Sequence, residues 1–317
     1  MKKISILVPC YNESQNVKEM YLAIKKVMDT LPQYDYEQLY IDNSSEDNTW
    51  EILKSIASQD KHVKAIENET NFGPDRSGSY GMYQTEGDAS ICLACDFQDP
   101  PELIPEFIKK WEEGYKVVWG KKTESKESKV MFTIRTLYYK IIKLFSSVQQ
   151  YEHVTGFGLY DKEVVKRMKE SGEPKPLFRN LIADYGYRIG LVEYVQPKRE
   201  RGHSSYNFFS YFDTALHSLI NTSRVPLKLA TFCGLIVSGI SFIIAIIYLI
   251  MKLLYWDRFI AGTAPIVIGI FFLGGVQLLF LGILGEYVGE ILTRVTKRPL
   301  VVEHERINFE DDKNKNN

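Results

Sequence analysis

The stretch ICLACDFQDPPELIP, residues 91–105, carries the residue types best suited to chemistry. An apolar run from Ile91 to Cys95 ends in Asp96-Phe97-Gln98-Asp99, and two prolines follow. Hard oxygen donors just past an apolar strand suit a divalent cation. Ala94 and Cys95 stand where a second carboxylate would be. Three readings follow: a metal site, a metal site short of one ligand, or a plain strand-to-helix turn. Asp99, ahead of Pro100-Pro101-Glu102, reads as a helix N-cap.

Further candidates lie along the chain. The run PKRERGHSSYN gathers Lys198, Arg199, Arg201 and His203. Guanidinium groups suit phosphate oxygens, and the same run suits attraction to anionic lipid. Asp184, in FRNLIADYGYR, offers a carboxylate on a helix, either solvated or functional. Cys92 and Cys95 form a C-x-x-C pair, yet positions i and i+3 of a strand face opposite ways and cannot chelate together. Reduced, buried thiols are the expectation.

The elements that position these groups alternate. KISILVPCY, EQLYIDNSS, HVKAIENE, ASICLACD and YKVVWG read as strands, with helical stretches from about Glu13 to Asp29, from near Asp47, over 74–85 and from the Pro100-Pro101 pair. Proline is tolerated in a first helical turn. This alternation predicts a doubly covered parallel sheet of the Rossmann-like α/β class. Ligands of such sheets bind beyond the carboxyl ends of the strands. That puts Tyr11-Asn12-Glu13, Asp42-Asn43-Ser44, Asn71-Phe72-Gly73 and Asp96-Phe97-Gln98-Asp99 along one edge. No G-x-G-x-x-G follows the first strand, which argues against a dinucleotide cofactor.

The 317 residues carry 39 Lys and Arg against 40 Asp and Glu, a net charge of −1, so nothing points to nucleic acid. Residues 229–251 and 264–285 contain no charged side chain, and each is long enough to span a bilayer. The short segment between them carries Tyr255 and Trp256, suited to an interface. Arg224, Lys228, Arg294, Lys297 and Arg298 flank the pair, against Lys252 and Arg258 in the loop. The positive-inside rule then puts both termini and the large domain in the cytoplasm. The N-terminal apolar run is too short for a signal peptide. The expected division is a catalytic domain over 1–205, an amphipathic juxtamembrane helix over 206–228, two spans within 229–288 and a cytoplasmic tail over 289–317. Residues 129–148 read as an interfacial helix or a core-packed one.

ILVPCYNES, YIDNSSEDNT, NFG and DFQDPPELIP, in this order, resemble the signature turns of family 2 glycosyltransferases of the GT-A fold. The resemblance extends through PKRERGHSSYNF and the paired apolar runs to the membrane-anchored polyprenyl-phosphate group. It implies an inverting transferase that moves a sugar from a nucleotide-sugar donor, UDP-linked, to polyprenyl (undecaprenyl) phosphate at a bacterial plasma membrane, for cell-envelope glycans. It implies that Pro9, Tyr11, Glu13, Asp42 and Asp96 bind the donor. Asp96 and Gln98 would hold Mg2+ or Mn2+, and Arg199, Arg201 and Ser205 the phosphates. Asp96, Arg201 and Asp184 are the catalytic candidates. A homo-oligomer is compatible with this reading.

Two departures matter. Ala94 replaces the first acid of an Asp-x-Asp-x-Gln pattern, so metal affinity should depend more on bound nucleotide. Gly156, in TGFGLYD, replaces an Asp that the family proposes to assist the acceptor. A phosphate monoester has a second pKa of about 6 and is already ionised near neutrality, whereas a sugar hydroxyl needs a base. The missing carboxylate thus favours a phosphate acceptor. The competing expectation is a membrane scaffold that kept the fold and lost catalysis.

Overall fold

The computed structural model describes residues 1–124, 154–173, 176, 178–197, 263–296 and 298–309, with single positions between 232 and 254. The chain divides into two units. One comprises Met1–Tyr139, Val148–Asn207 and Lys297–Asn317, the other Lys140–Ser147 and Phe208–Thr296.

The first unit is built on an eight-stranded sheet of order β7-β5-β6-β4-β1-β2-β3-β8. Its strands are β1 Lys2–Cys10, β2 Tyr34–Asp42, β3 Val63–Asn68, β4 Ala89–Cys92, β5 Val117–Glu124, β6 Val154–Asp161, β7 Ile189–Val195 and β8 Glu303–Ile307. Around it lie helices α1 Val17–Met28, α2 Thr49–Gln59, α3 Pro74–Tyr83, α4 Ile104–Glu112, α5 Lys162–Glu170 and α6 Phe178–Asp184.

The alternation of side chains decides which face each residue covers. Ile4, Ile6 and Val8 of β1 join one core cluster with Met20 and Ile24 of α1, Leu53 of α2 and Phe107 of α4. Leu7 joins the opposite cluster with Leu39, Ile41 and Ile66, against Met82 of α3, Val164 and Met168 of α5, and Ile182 of α6. A strand covered on both faces reads as a continuous apolar run, and β1 is buried throughout Ile4 to Val8, where Ser5 is the one polar residue.

The sheet is mixed, not wholly parallel as the alternation suggested. β1 pairs in parallel with β2 and β4, and β2 with β3. β6 runs antiparallel to both β4 and β5, and β8 antiparallel to β3. The β5–β6 ladder shifts register between Trp119 and Lys121. Opposite that shift Gly156 adopts φ 101°, open to glycine and rarely to other residues. Gly158 is required for a different reason: a Cβ there would lie 2.1 Å from the Val118 carbonyl oxygen.

The expected tail over 289–317 is not a tail. It contains the end of a long helix and then β8, which joins the eight-stranded sheet. Arg76 of α3 clamps the returning segment, its Nε donating to Leu300 O at 2.9 Å and its Nη2 to Pro299 O at 3.0 Å. Asn308 Nδ2 donates to the carbonyls of Ala57 and Val63. Phe309 is buried in the second core cluster.

In the second unit, α7 spans Thr263–Val295, 33 residues or about 50 Å at 1.5 Å per residue. It absorbs the apolar run 264–285 and continues through Glu286, Glu290 and Arg294, where Arg294 Nε donates to Glu290 Oε1 at 3.1 Å. Among the described residues, Phe272–Val295 is the one stretch long and apolar enough to cross a membrane. The described positions from 232 to 254 are also helical, and Ile236, Ile240, Ile243, Ile247 and Leu254 among them are exposed. Gly234 of that run faces the Phe280 ring of α7, with 3.7 Å between an ideal Cβ and Phe280 Cε2.

Candidate active site

Parallel register brings four strand ends to one edge. Cys10 lies beside Asp42, Asp42 beside Glu67, and Leu7 beside Cys92. The turns that follow are the four polar segments singled out from the sequence.

The first two turns interlock. Asn12 N–H donates to Ser45 Oγ at 2.8 Å, and Glu46 N–H returns a bond to Asn12 Oδ1 at 2.8 Å. Glu13 N–H donates to Thr49 Oγ1 at 2.9 Å, and Ser14 N–H to Asp47 Oδ2 at 3.1 Å. Burial would raise the Asp47 pKa, but donors from Thr49 and Ser14 outweigh it and hold the carboxyl below its ordinary value. Asn12, Ser44 and Phe97 all adopt left-handed φ, at 57°, 63° and 59°. Such conformations in residues other than glycine are sparse and cluster at functional sites.

Of the expected donor-binding residues, Pro9 and Tyr11 are partly exposed, whereas Glu13 and Asp42 are buried. Glu13 Oε2 accepts from Asn16 Nδ2 at 2.6 Å. Asp42 accepts both the hydroxyl and the N–H of Ser45. Burial raises its pKa despite those bonds, and Asp47 adds to the rise.

The fourth turn carries the expected metal ligands. Asp96 is almost buried, and its Oδ1 accepts the Gln98 N–H at 3.1 Å across the left-handed Phe97. Asp99 does not cap a helix. Its Oδ2 accepts Ala94 N–H at 3.1 Å and its Oδ1 accepts the Tyr194 hydroxyl at 3.2 Å. The helical turn begins one residue later than expected, at Pro101 with Pro100 in the N-cap position, so Asp99 lies outside it and its side chain turns back to Ala94, just past β4, and to Tyr194 of β7. Burial pushes the Asp99 carboxyl up to about 6, against the Ala94, Lys122 and Tyr194 contributions that lower it.

Among the described residues, no three His, Cys, Asp or Glu side chains converge to hold a metal. Asp96 and Gln98 offer a carboxylate and an amide oxygen, both hard donors. That fits Mg2+ or Mn2+, which bind through one or two carboxylates plus substrate phosphates and keep several waters. Cys92, at the end of β4, and Cys95, in the turn beyond it, go to opposite core clusters.

Asp184 is not brought to this edge. It is exposed at the end of α6, five residues before β7 begins beside Val117, at the start of β5. That is the opposite edge of the sheet, where Tyr187 meets Arg167 and Arg188 meets Tyr115. Lys198, Arg199, Arg201, His203 and Ser205 lie outside the described residues, as do the segments 129–148 and 206–223.

Two groups escaped the sequence reading. Tyr194 was hidden in an ordinary strand pattern. Asn43 was read only as part of a polar turn, yet its side chain joins the second turn to the third.

The model described as glycosyl transferase family 2 matches residues 5–169, more than half of the chain and all four turns. The chain belongs to this family. It is a family 2 glycosyltransferase that is 32% identical to the SfII prophage-derived bactoprenol glucosyl transferase of Shigella flexneri, over 94% of this chain and 96% of that one. It is 34% identical to an uncharacterized glycosyltransferase of Bacillus subtilis (strain 168), over 94% and 92% of the two chains. A prophage bactoprenol glucosyl transferase homolog of Escherichia coli (strain K12) is 30% identical over 94% and 97%. The family match ends within α5, so β7, α7 and β8 lie beyond it, but the pairwise similarity, over 94% of this chain, takes in β7 and most of α7.

Proposed function

We propose that this glycosyltransferase moves a sugar from a UDP-linked donor to a polyprenyl phosphate on the cytoplasmic leaflet of a bacterial plasma membrane. The observation that carries the reading is whole-length similarity to bactoprenol glucosyl transferases, 94% of this chain against 96% of the Shigella flexneri protein. That similarity takes in the sheet and the apolar helices together.

Pro9 and Tyr11 offer partly exposed surface to the base. Asp42 and Glu13 shape the wall behind them. Asp96 and Gln98 would hold Mg2+ or Mn2+, which supplies positive charge to the leaving diphosphate. Arg199, Arg201 and Ser205 are the proposed phosphate contacts. Transfer proceeds with inversion by direct displacement, the acceptor oxygen attacking the anomeric carbon as the bond to the diphosphate breaks. The acceptor phosphate arrives ionised near neutral pH, so no protein base is required. Gly156, in place of a carboxylate, agrees with this, and so does Asp184 at the far edge.

The return of β8 to β3 supports a topology of two spans. A chain that leaves a folded unit and rejoins the same sheet crosses the bilayer an even number of times. α7 supplies one crossing, and the apolar run 229–251, with Gly234 against Phe280, suits the other. The positive-inside count then favours cytoplasmic termini.

The test incubates membranes containing the protein with a panel of nucleotide-sugars and either polyprenyl phosphate or free polyprenol. Mass spectrometry should find a lipid-linked sugar phosphate that depends on one donor and on the phosphate. Product from the free alcohol at an equal rate would refute the acceptor assignment. No product from any donor would favour the scaffold reading.

A further inference from the structure

The third turn, Asn71-Phe72-Gly73, is held in place by a chain of amides. Asn43 Nδ2 donates to Asn71 Oδ1 at 2.8 Å. Asn71 Oδ1 also accepts Gly73 N–H at 2.9 Å. Asn43 Oδ1 accepts Phe72 N–H at 3.0 Å and Asn68 Nδ2 at 3.0 Å. Asn68 Nδ2 further donates to Ser77 Oγ of α3 at 3.0 Å.

The orientation of every amide follows from the backbone. An N–H can only donate, so the Asn43 atom facing Phe72 and the Asn71 atom facing Gly73 must both be oxygen. Asn43 therefore turns its NH2 to Asn71 and its oxygen to Asn68, and Asn68 must answer with its NH2. The chain leaves one group over. Asn68 is buried, and its Oδ1 has no hydrogen-bond partner among the described residues. A buried unsatisfied acceptor is uncommon and needs a reason. Here the reason is that both backbone N–H groups of the turn are satisfied first.

We infer that Asn43 is a positioning residue for the donor site, fixing the Phe72-Gly73 turn as a wall of the nucleotide pocket. The inference rests on the proposed reading that this edge binds a nucleotide-sugar. The turn borders the edge from the β3 side, and Phe72 is partly exposed there with Arg76 stacked 5.0 Å from its ring centre. The position needs a side chain that donates on one side and accepts on the other. An aspartate keeps both acceptances but sets oxygen against Asn71 Oδ1. Asn71 cannot flip to compensate without losing the Gly73 bond. Asn43 and Asn71 are thus a matched pair.

This matching gives a specific test on the full-length protein in detergent. UDP binding is measured by calorimetry, and KM and kcat with the donor found in the panel. Asn43→Asp should weaken UDP binding and raise donor KM about tenfold, the scale of one unsatisfied buried group, with a much smaller fall in kcat. Adding Asn71→Ser should restore both values to within about threefold, because a hydroxyl donates to the new carboxylate while accepting Gly73 N–H. Unchanged binding in Asn43→Asp would overturn the inference. So would a loss that Asn71→Ser leaves uncorrected, or one matched by an equal fall in kcat. Absence of UDP and GDP binding in the wild type would overturn the donor reading, and this inference with it.

Discussion

Replacing Asp99 by asparagine should stabilise the protein near neutral pH. The carboxyl is buried, with its pKa at about 6 against an ordinary value of 3.8. Burial causes the rise, so the folded state prefers the protonated acid. Below pH 3 the group is protonated in the folded and unfolded chains alike and carries no penalty. As pH rises through about 4 the unfolded chain ionises it, while the folded chain keeps the proton until about 6. Stability therefore falls across that window and is level above it. The shift of about two units corresponds to about 3 kcal/mol at pH 7.5. Asparagine escapes this penalty and can keep both contacts. Its oxygen accepts the Ala94 N–H, and its NH2 donates to a Tyr194 hydroxyl turned to accept. Allowing for imperfect geometry, Asp99→Asn should gain about 1–3 kcal/mol at pH 7.5 and close to nothing at pH 3.5. Melting of the detergent-solubilised protein across that pH range measures it, at about 2–4 °C per kcal/mol for a domain of this size. A variant less stable than wild type at pH 7.5, or a difference that does not change with pH, would refute the reasoning.

Other outcomes are expected. Asp96→Ala should abolish transfer while UDP binding in chelator stays near wild type, as radiolabelled product and calorimetry would show. Gly156→Asp, which restores the family carboxylate, should lower stability by about 1–3 kcal/mol because φ 101° strains any L side chain; thermal melting reads the loss, and kcat should not rise. Asp184→Asn should leave the transfer rate within about twofold of wild type, since a lost general base would cost about 10²–10⁴-fold. The rate with polyprenyl phosphate should fall as pH drops through about 6, where the acceptor takes up its second proton, and a pH profile with excess donor would follow it.

The first four strands and their turns were legible because both sheet faces are covered. Continuous apolar runs such as Ile4–Val8 mark central strands, and polar residues after them mark the ligand edge. Strand direction was less legible. β6, VTGFGLYD, was read only as a motif and not as a strand, and its antiparallel pairing with β4 and β5 is what makes the sheet mixed there. β8, with the sequence EHERI, looks like a charged tail because only one of its edges is paired and its residues stay partly exposed. Asp99 was misread because cap position was inferred from residue order, while the helical turn begins at Pro101 with Pro100 in the N-cap position. Asp184 shows the same limit at larger scale. Helical spacing places a carboxylate on a helix but does not say at which edge of the sheet that helix ends.

The late return of β8 also sets an order of assembly. Ala65 pairs with Ile307, so at translation rates of about 5–20 residues per second the partner of β3 emerges roughly 12–50 s after it. Throughout that interval β3 is an open sheet edge, the kind of surface that recruits stray strands. Its Lys64 and Glu67 are the sort of charges that discourage such pairing. Both apolar runs leave the ribosome before β8 does. β3 is then covered, by a short charged edge strand, only once both apolar runs have been made, and a chain in which β8 fails to return would keep the β3 edge open for quality control to find.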